Sequence, residues 1–221
     1  MNIADLFSVN TTLFTFWNYQ MSYLEFVGTI FNIWCVWLAA RKKTLTWPIG
    51  LVGIILYMFL FYQIQLYSDL FEQVYFFIMT FYGWWLWTMP AKGKTGADQE
   101  LKVSFASRNA NLIWLAITVF GSIALGYFMS RIHLIFPAYF PVAASLPYWD
   151  AFTTVMSFVA TILMAKKKIE CWYYWILVDI IGIVLYFVKD VRFISLEYVL
   201  FLAIAVKGLF DWLKERDKLS S

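Results

Sequence analysis

The residues of this chain best suited to chemistry fall in one short run, Trp172-Tyr-Tyr-Trp175-Ile-Leu-Val-Asp179. Helical spacing puts Trp172, Trp175 and Asp179 on one stripe, and Gly182 and Tyr186 extend it. Indole faces attract cations, and a carboxylate one or two turns deeper adds to the attraction, as in sites for quaternary or ring-nitrogen cations. The competing reading is an aromatic belt at a membrane surface with one polar contact between helices. Trp172 alone suits the belt, whereas Trp175 with Asp179 suits a ligand. Glu72, Glu197 and Lys207 are the other ionisable groups set in apolar surroundings. A charge at the bilayer centre costs about 2.5–3.5 kcal/mol on insertion scales, so each calls for a partner or a pathway. For Glu72 and Glu197, near helix ends, snorkelling or capping competes evenly with a ligand role; Lys207 is expected to snorkel. Catalysis is poorly served: the single histidine, His133, stands beside Arg131 with no metal-spaced cysteines or nucleophile elbow. No enzyme activity and no cofactor are expected. Cys35 and Cys171 read as small apolar residues, not as a disulfide or redox pair.

The elements that hold these residues must lie in a membrane. Of 221 residues, 62% are hydrophobic, 22% aromatic and only 14% charged, too few charges to cover a soluble surface. The net charge of +3 is small and dispersed, and basic patches interleaved with aromatics are missing, so nucleic acid is not an expected partner. Seven apolar runs, about 22–40, 47–67, 70–89, 109–130, 149–165, 171–188 and 193–213, are each close to the length a bilayer requires. They are too long and uniform for barrel strands, which makes the chain an all-α integral membrane protein. Thirteen Lys and Arg residues fall on one side of this plan and three, Arg131, Lys189 and Arg192, on the other. The excess predicts an extracytoplasmic N-terminus and a cytoplasmic C-terminus. Met1–Asp5 has no basic run, so a cleaved signal peptide is not expected. Residues 1–20, with Phe14, Phe16, Trp17 and Tyr19, read as an amphipathic surface segment or a frayed tail.

Sliding the chain against itself by 125 residues aligns the first three runs with the last three without a gap. Fourteen pairs are identical, among them Lys42/Lys167, Lys43/Lys168, Trp47/Trp172, Glu72/Glu197, Gly83/Gly208 and Trp87/Trp212. Composition alone does not put Trp, Glu, Gly and Lys-Lys in register. The organisation is therefore 3+1+3: an N-terminal segment (1–21), a first bundle (22–89), a cytoplasmic loop (90–108), a linker helix with an outer loop (109–148), a second bundle (149–213) and a tail (214–221). Three spans plus one return the chain to its starting side, so the two units run in the same sense. Parallel repeats about an axis along the membrane normal are a recurrent plan of secondary transporters, which bind substrate near the midplane. At the divergent positions Gly50, Ile54 and Tyr57 of the first half match Trp175, Asp179 and Gly182 of the second. Pro48, Gly50 and Gly53 would leave room for a ligand against the backbone, so one half supplies bulk and the other space. Asn32, Gln73 and Tyr198 are candidates for the ligand's polar end, although Asn32 could equally join helices.

Taken together, Trp172-x-x-Trp175-x-x-x-Asp179, Ser195-Leu-Glu197-Tyr198, Gln63-Ile-Gln65-Leu-Tyr67, Gln73 and Tyr82-Gly83-Trp84 resemble the PnuC family of bacterial vitamin transporters over about residues 22–213. The resemblance implies a fold like a full-length SWEET sugar transporter, a homotrimer, and facilitated diffusion of nicotinamide riboside, trapped by phosphorylation in the cell. It also implies that Trp172 and Trp175 stack on the vitamin ring and that Asp179, Gln73, Tyr198 and Asn32 bond its polar groups; Glu197 and Tyr57 complete the candidate set. Asp179 stands where such sequences often have Asn, and Glu72 where an apolar residue is expected. Both add negative charge, which suits the ring cation of nicotinamide riboside or thiamin and disfavours neutral riboflavin. A membrane channel or scaffold is the reading from a different class.

Overall fold

Every one of the seven apolar runs is helical in the computed structural model, which describes residues 6–16, 19–64, 67–89, 101–138, 140, 143–189 and 192–220. The helices are α1 (Tyr23–Ala40), α2 (Thr46–Gln63), α3 (Tyr67–Thr88), α4 (Arg108–Ile135), α5 (Pro147–Ala165), α6 (Glu170–Val188) and α7 (Arg192–Ser220). Their starts follow local chemistry. Ser22 caps α1 by accepting from the Glu25 amide at 3.2 Å, Ser107 caps α4 in the same way through Ala110, and Pro147 opens α5, where its missing N–H costs nothing. Six helices are long and apolar enough to cross a membrane by composition alone. The exception is α3, whose Asp69, Glu72, Gln73 and Thr80 face the interior of the bundle and lower its apolar content.

The repeated Lys-Lys pairs have a structural cause. Lys42 (φ 58°) and Lys167 (φ 48°) adopt the left-handed conformation just past the ends of α1 and α5. Their amides bond back to the carbonyls of Ala39 and Met164, both at 2.9 Å, and the next amides, Lys43 and Lys168, bond to Leu38 and Leu163 at 3.0 and 2.8 Å. This is the Schellman ending, adopted here by lysine at a cost of roughly 1–2 kcal/mol relative to an unstrained residue.

Helix neighbours form a closed ring, α1–α2–α3–α5–α6–α7 and back to α1, while α4 lies outside and packs on α5. The halves meet along two seams, α3 with α5 and α1 with α7, which exchange under the 125-residue offset. Each seam is tied by the same bond. The Trp87 indole donates to the Ala165 carbonyl at 3.0 Å, and the Trp212 indole donates to that of Ala40 at 3.1 Å. Trp47 meets Trp87 edge to face at 5.3 Å, and Trp172 meets Trp212 at 5.5 Å, both at 88°. Gly83 and Gly208 admit these rings: a Cβ on Gly208 would stand 2.7 Å from the Trp172 ring.

The N-terminal segment departs from expectation and makes the chain not wholly helical. Strands β1 (Thr12–Phe16) and β2 (Tyr19–Ser22) pair antiparallel, where an amphipathic segment or a frayed tail was expected. The β-branched and aromatic residues of β1, Thr-Leu-Phe-Thr-Phe, suit a pleated strand. The segment is fastened to the bundle: the Gln63 amide group donates to the Phe7 carbonyl at 2.8 Å and accepts from the Val9 amide at 3.1 Å. Met1–Asp5, Trp17, Gln65 and residues 90–100, most of the expected cytoplasmic loop, lie outside the described residues.

Candidate functional site

The ring encloses a cavity of about 210 Å³ to which all six of its helices contribute. Every candidate named from sequence lines it: Asn32 on α1, Tyr57 on α2, Gln73 on α3, Trp172, Trp175 and Asp179 on α6, and Glu197 and Tyr198 on α7. Their residue types divide the cavity into a carboxylate and hydroxyl region and an indole region.

The stripe along α6 forms as its spacing requires. Asp179 is 3% exposed, lines the cavity and makes no hydrogen bond or ion pair with any described residue. A carboxylate buried without a partner is strongly disfavoured, which makes Asp179 the group in the cavity most in need of a partner. Trp175 is half-buried, its ring 6.3 Å from that of Phe76 across the cavity and tilted by 46°. Neither its indole nitrogen nor those of Trp47 and Trp172 has a protein partner. Trp172 corrects the belt reading: it is 0% exposed, seated on Gly208 and held edge to face by Trp212. A belt residue lies against lipid, whereas Trp172 belongs to the core that closes one end of the cavity.

Glu197 neither snorkels nor caps. It is 2% exposed, and its Oε2 accepts from the Tyr57 hydroxyl and from Thr29 Oγ1 at 3.4 Å, while Thr29 and Tyr57 share a 2.8 Å bond. Glu197 thus fastens α7 to α1 and α2, leaving Oε1 without a protein partner. The Ser195-Leu-Glu197-Tyr198 segment gains a meaning for each residue. Ser195 bonds the Ile183 carbonyl at 2.8 Å, Leu196 faces outward, Glu197 spans the halves, and Tyr198 stacks on Tyr186 at 5.2 Å over Gly182. Lys207, expected to snorkel inward, is exposed and pairs with Asp211 at 2.5 Å one turn further along α7.

Two readings of the first half change. Gly53 does not open room for a ligand, because the Asn32 side chain fills its missing Cβ position. Gly50 lines the cavity, but Cys35 lies against it, so a Cβ there would stand 2.8 Å from Sγ. These glycines chiefly allow α1 to approach α2. Sequence reasoning also passed over Trp47, whose identity with Trp172 was the available signal, and the Asp69–Tyr186 pair. Tyr186 donates to Asp69 at 2.5 Å, and Lys189 pairs with Asp150 at 2.7 Å nearby.

Two parallel three-helix units closed around a buried aromatic and carboxylate cavity define a multi-pass membrane transporter. A family model described as nicotinamide mononucleotide transporter matches residues 22–214. The chain belongs to that family. It is 32% identical to the nicotinamide riboside transporter PnuC of Escherichia coli K12, over 88% of this chain and 87% of that one. It is 26% identical to the riboflavin/roseoflavin transporter RibM of Streptomyces davaonensis, over 92% and 91%. A crystal structure of the vitamin B3 transporter PnuC superposes with a TM-score of 0.70 at 26% identity, covering 89% of this chain and 83% of that one.

Proposed function

We propose that the protein carries nicotinamide riboside across the bacterial inner membrane, with the vitamin seated in the cavity of the ring. The observation that carries this reading is the unpaired, buried Asp179 one turn from Trp175. A permanent pyridinium cation offers the charge that this carboxylate lacks and a flat face for the indole. In this reading Trp175 stacks on the ring, Trp172 closes the end of the site, and Asp179, Gln73, Tyr198 and Asn32 bond the amide and the sugar hydroxyls. Glu197, oriented by Tyr57, adds a second acceptor. Entry and exit alternate by rocking of the two halves about their seams, with the N-terminus outside and the C-terminus in the cytoplasm. Transport is facilitated diffusion, drawn inward by phosphorylation of the cargo in the cell, and three copies assemble as a trimer. Thiamin, which also carries a ring cation, is the competing cargo; neutral riboflavin fits the charge less well.

The test is a binding panel on the purified protein: nicotinamide riboside, thiamin, riboflavin and deoxynucleosides by calorimetry, followed by uptake in liposomes. Saturable uptake of nicotinamide riboside, competed by excess unlabelled vitamin, supports the reading. Tighter binding of thiamin would reassign the cargo, and non-saturable flux would point to a channel.

A further inference from the structure

The two basic turns are equivalent in the repeat but differ in what lies on them. At the α5–α6 turn the chain covers itself. Ser104 pairs in a β-bridge with Lys168, its amide bonding the Lys167 carbonyl at 3.2 Å while its own carbonyl accepts from Ile169 at 3.1 Å. Lys168 Nζ donates to Ser104 Oγ at 2.7 Å and to the Phe105 carbonyl at 3.4 Å. Lys166 and Lys167 lie over the rings of Trp114 and Trp87 at 5.9 and 4.7 Å. Glu170 receives the Ala106 amide at 2.9 Å and Asn111 at 3.0 Å, which locks the segment down.

Among the described residues, no segment covers the α1–α2 turn in this way. Between it and the end of α7 lies an open basin of about 350 Å³, lined by Arg41, Lys42, Lys43, Lys214 and Lys218 against Asp211 and Glu215. Both carboxylates are engaged, Glu215 with Lys42 at 3.1 Å and Asp211 with Lys207 at 2.5 Å. Lys43 and Lys214 are exposed and have no ion-pair partner among the described residues. Below the basin, α1 presents an apolar stripe of Val27, Ile30, Trp34 and Trp37, and α7 presents Val206 and Phe210. Arg41 stacks on Trp37 at 4.1 Å. Exposed tryptophans one turn from a basic cluster mark the headgroup level of a bilayer.

We propose that this basin holds the phosphate of an anionic phospholipid, whose acyl chains lie along the α1–α7 stripe. Arg41 and Lys43 come from the first half and Lys214 from the second, so one headgroup bridges the α1–α7 seam beside a turn whose counterpart is covered by the chain's own residues 104–106. Basic pockets between transmembrane helices are suited to such headgroups. The test uses the full chain in neutral detergent with equal phosphatidylglycerol and phosphatidylcholine, and counts retained lipid by native mass spectrometry. The wild type is expected to retain phosphatidylglycerol selectively. Lys43→Gln with Lys214→Gln should lower that retention by roughly thirtyfold, while Arg131→Gln at the opposite end changes nothing. Equal retention of both lipids, or an unchanged double variant, would overturn the proposal. So would complete displacement by millimolar inorganic phosphate, which would assign the basin to a free anion. If the double variant does not fold, the single Lys43→Gln is read instead by the rise in melting midpoint with phosphatidylglycerol over phosphatidylcholine. An equal rise in this variant and the wild type counts against the site.

Discussion

The first and second halves share what builds the ring and differ in part of what faces its cavity. Trp47 and Trp172, Trp87 and Trp212, Gly83 and Gly208, and the left-handed Lys42 and Lys167 repeat in both identity and geometry. Along the cavity the same alignment sets Gly50 against Trp175, Ile54 against Asp179 and Gln73 against Tyr198. A symmetric scaffold therefore encloses a lining that repeats at Trp47/Trp172, Glu72/Glu197 and Phe76/Phe201 and is asymmetric at the positions beside them. Packing bonds between the halves work equally well in duplicate, whereas a cargo with a charged ring at one end and hydroxyls at the other needs different groups on each side.

The largest effect tests the shared part. Trp87→Ala and Trp212→Ala should each lower stability in detergent by about 3–5 kcal/mol, as truncation of a buried tryptophan does. The two losses should agree closely in chemical unfolding; a large cost at only one position would show that the seams are not equivalent. Next comes the divergent part. Trp175→Ala should weaken nicotinamide riboside binding by about 2 kcal/mol, read by calorimetry, with the fold intact; unchanged affinity would remove Trp175 from the site. Asp179→Asn should cost about 1.5 kcal/mol for the cationic vitamin and less for an uncharged isostere. Equal losses for both ligands would show that charge is not read. The smallest effect falls where only the second half has a bond: Ser195→Ala, at the position matched by Leu70, deletes one hydroxyl bond to the Ile183 carbonyl for about 1 kcal/mol in chemical unfolding.

Helices, repeat and cavity lining were legible in the sequence because each rests on periodicity. Bilayer length sets the span of an apolar run, helical spacing puts Trp175 and Asp179 on one face, and a constant offset exposes duplication. The legible part stops where packing partners decide. Trp172 read as a belt residue because nothing in its neighbourhood of sequence announces Trp212 or Gly208, which lie some forty residues on. Glu197 stays open between a capping or snorkelling group and a ligand group in the sequence because its partners, Thr29 and Tyr57, come from the other half. Gly53 read as space for cargo because only coordinates place Asn32 against it. The N-terminal hairpin was hidden for a different reason: a short strand leaves too little pattern to outweigh an aromatic-rich segment.

The indole-to-carbonyl ties at the two seams cross over: each half supplies the donor for one and the acceptor for the other. Neither bundle can swing free at that end by releasing a latch of its own. Letting go of either tie separates a donor and an acceptor from opposite bundles, and the partner tie then resists the same swing. Parting there should be a single concerted event, so a state with one latch undone is a crossing point between conformations and not a resting place.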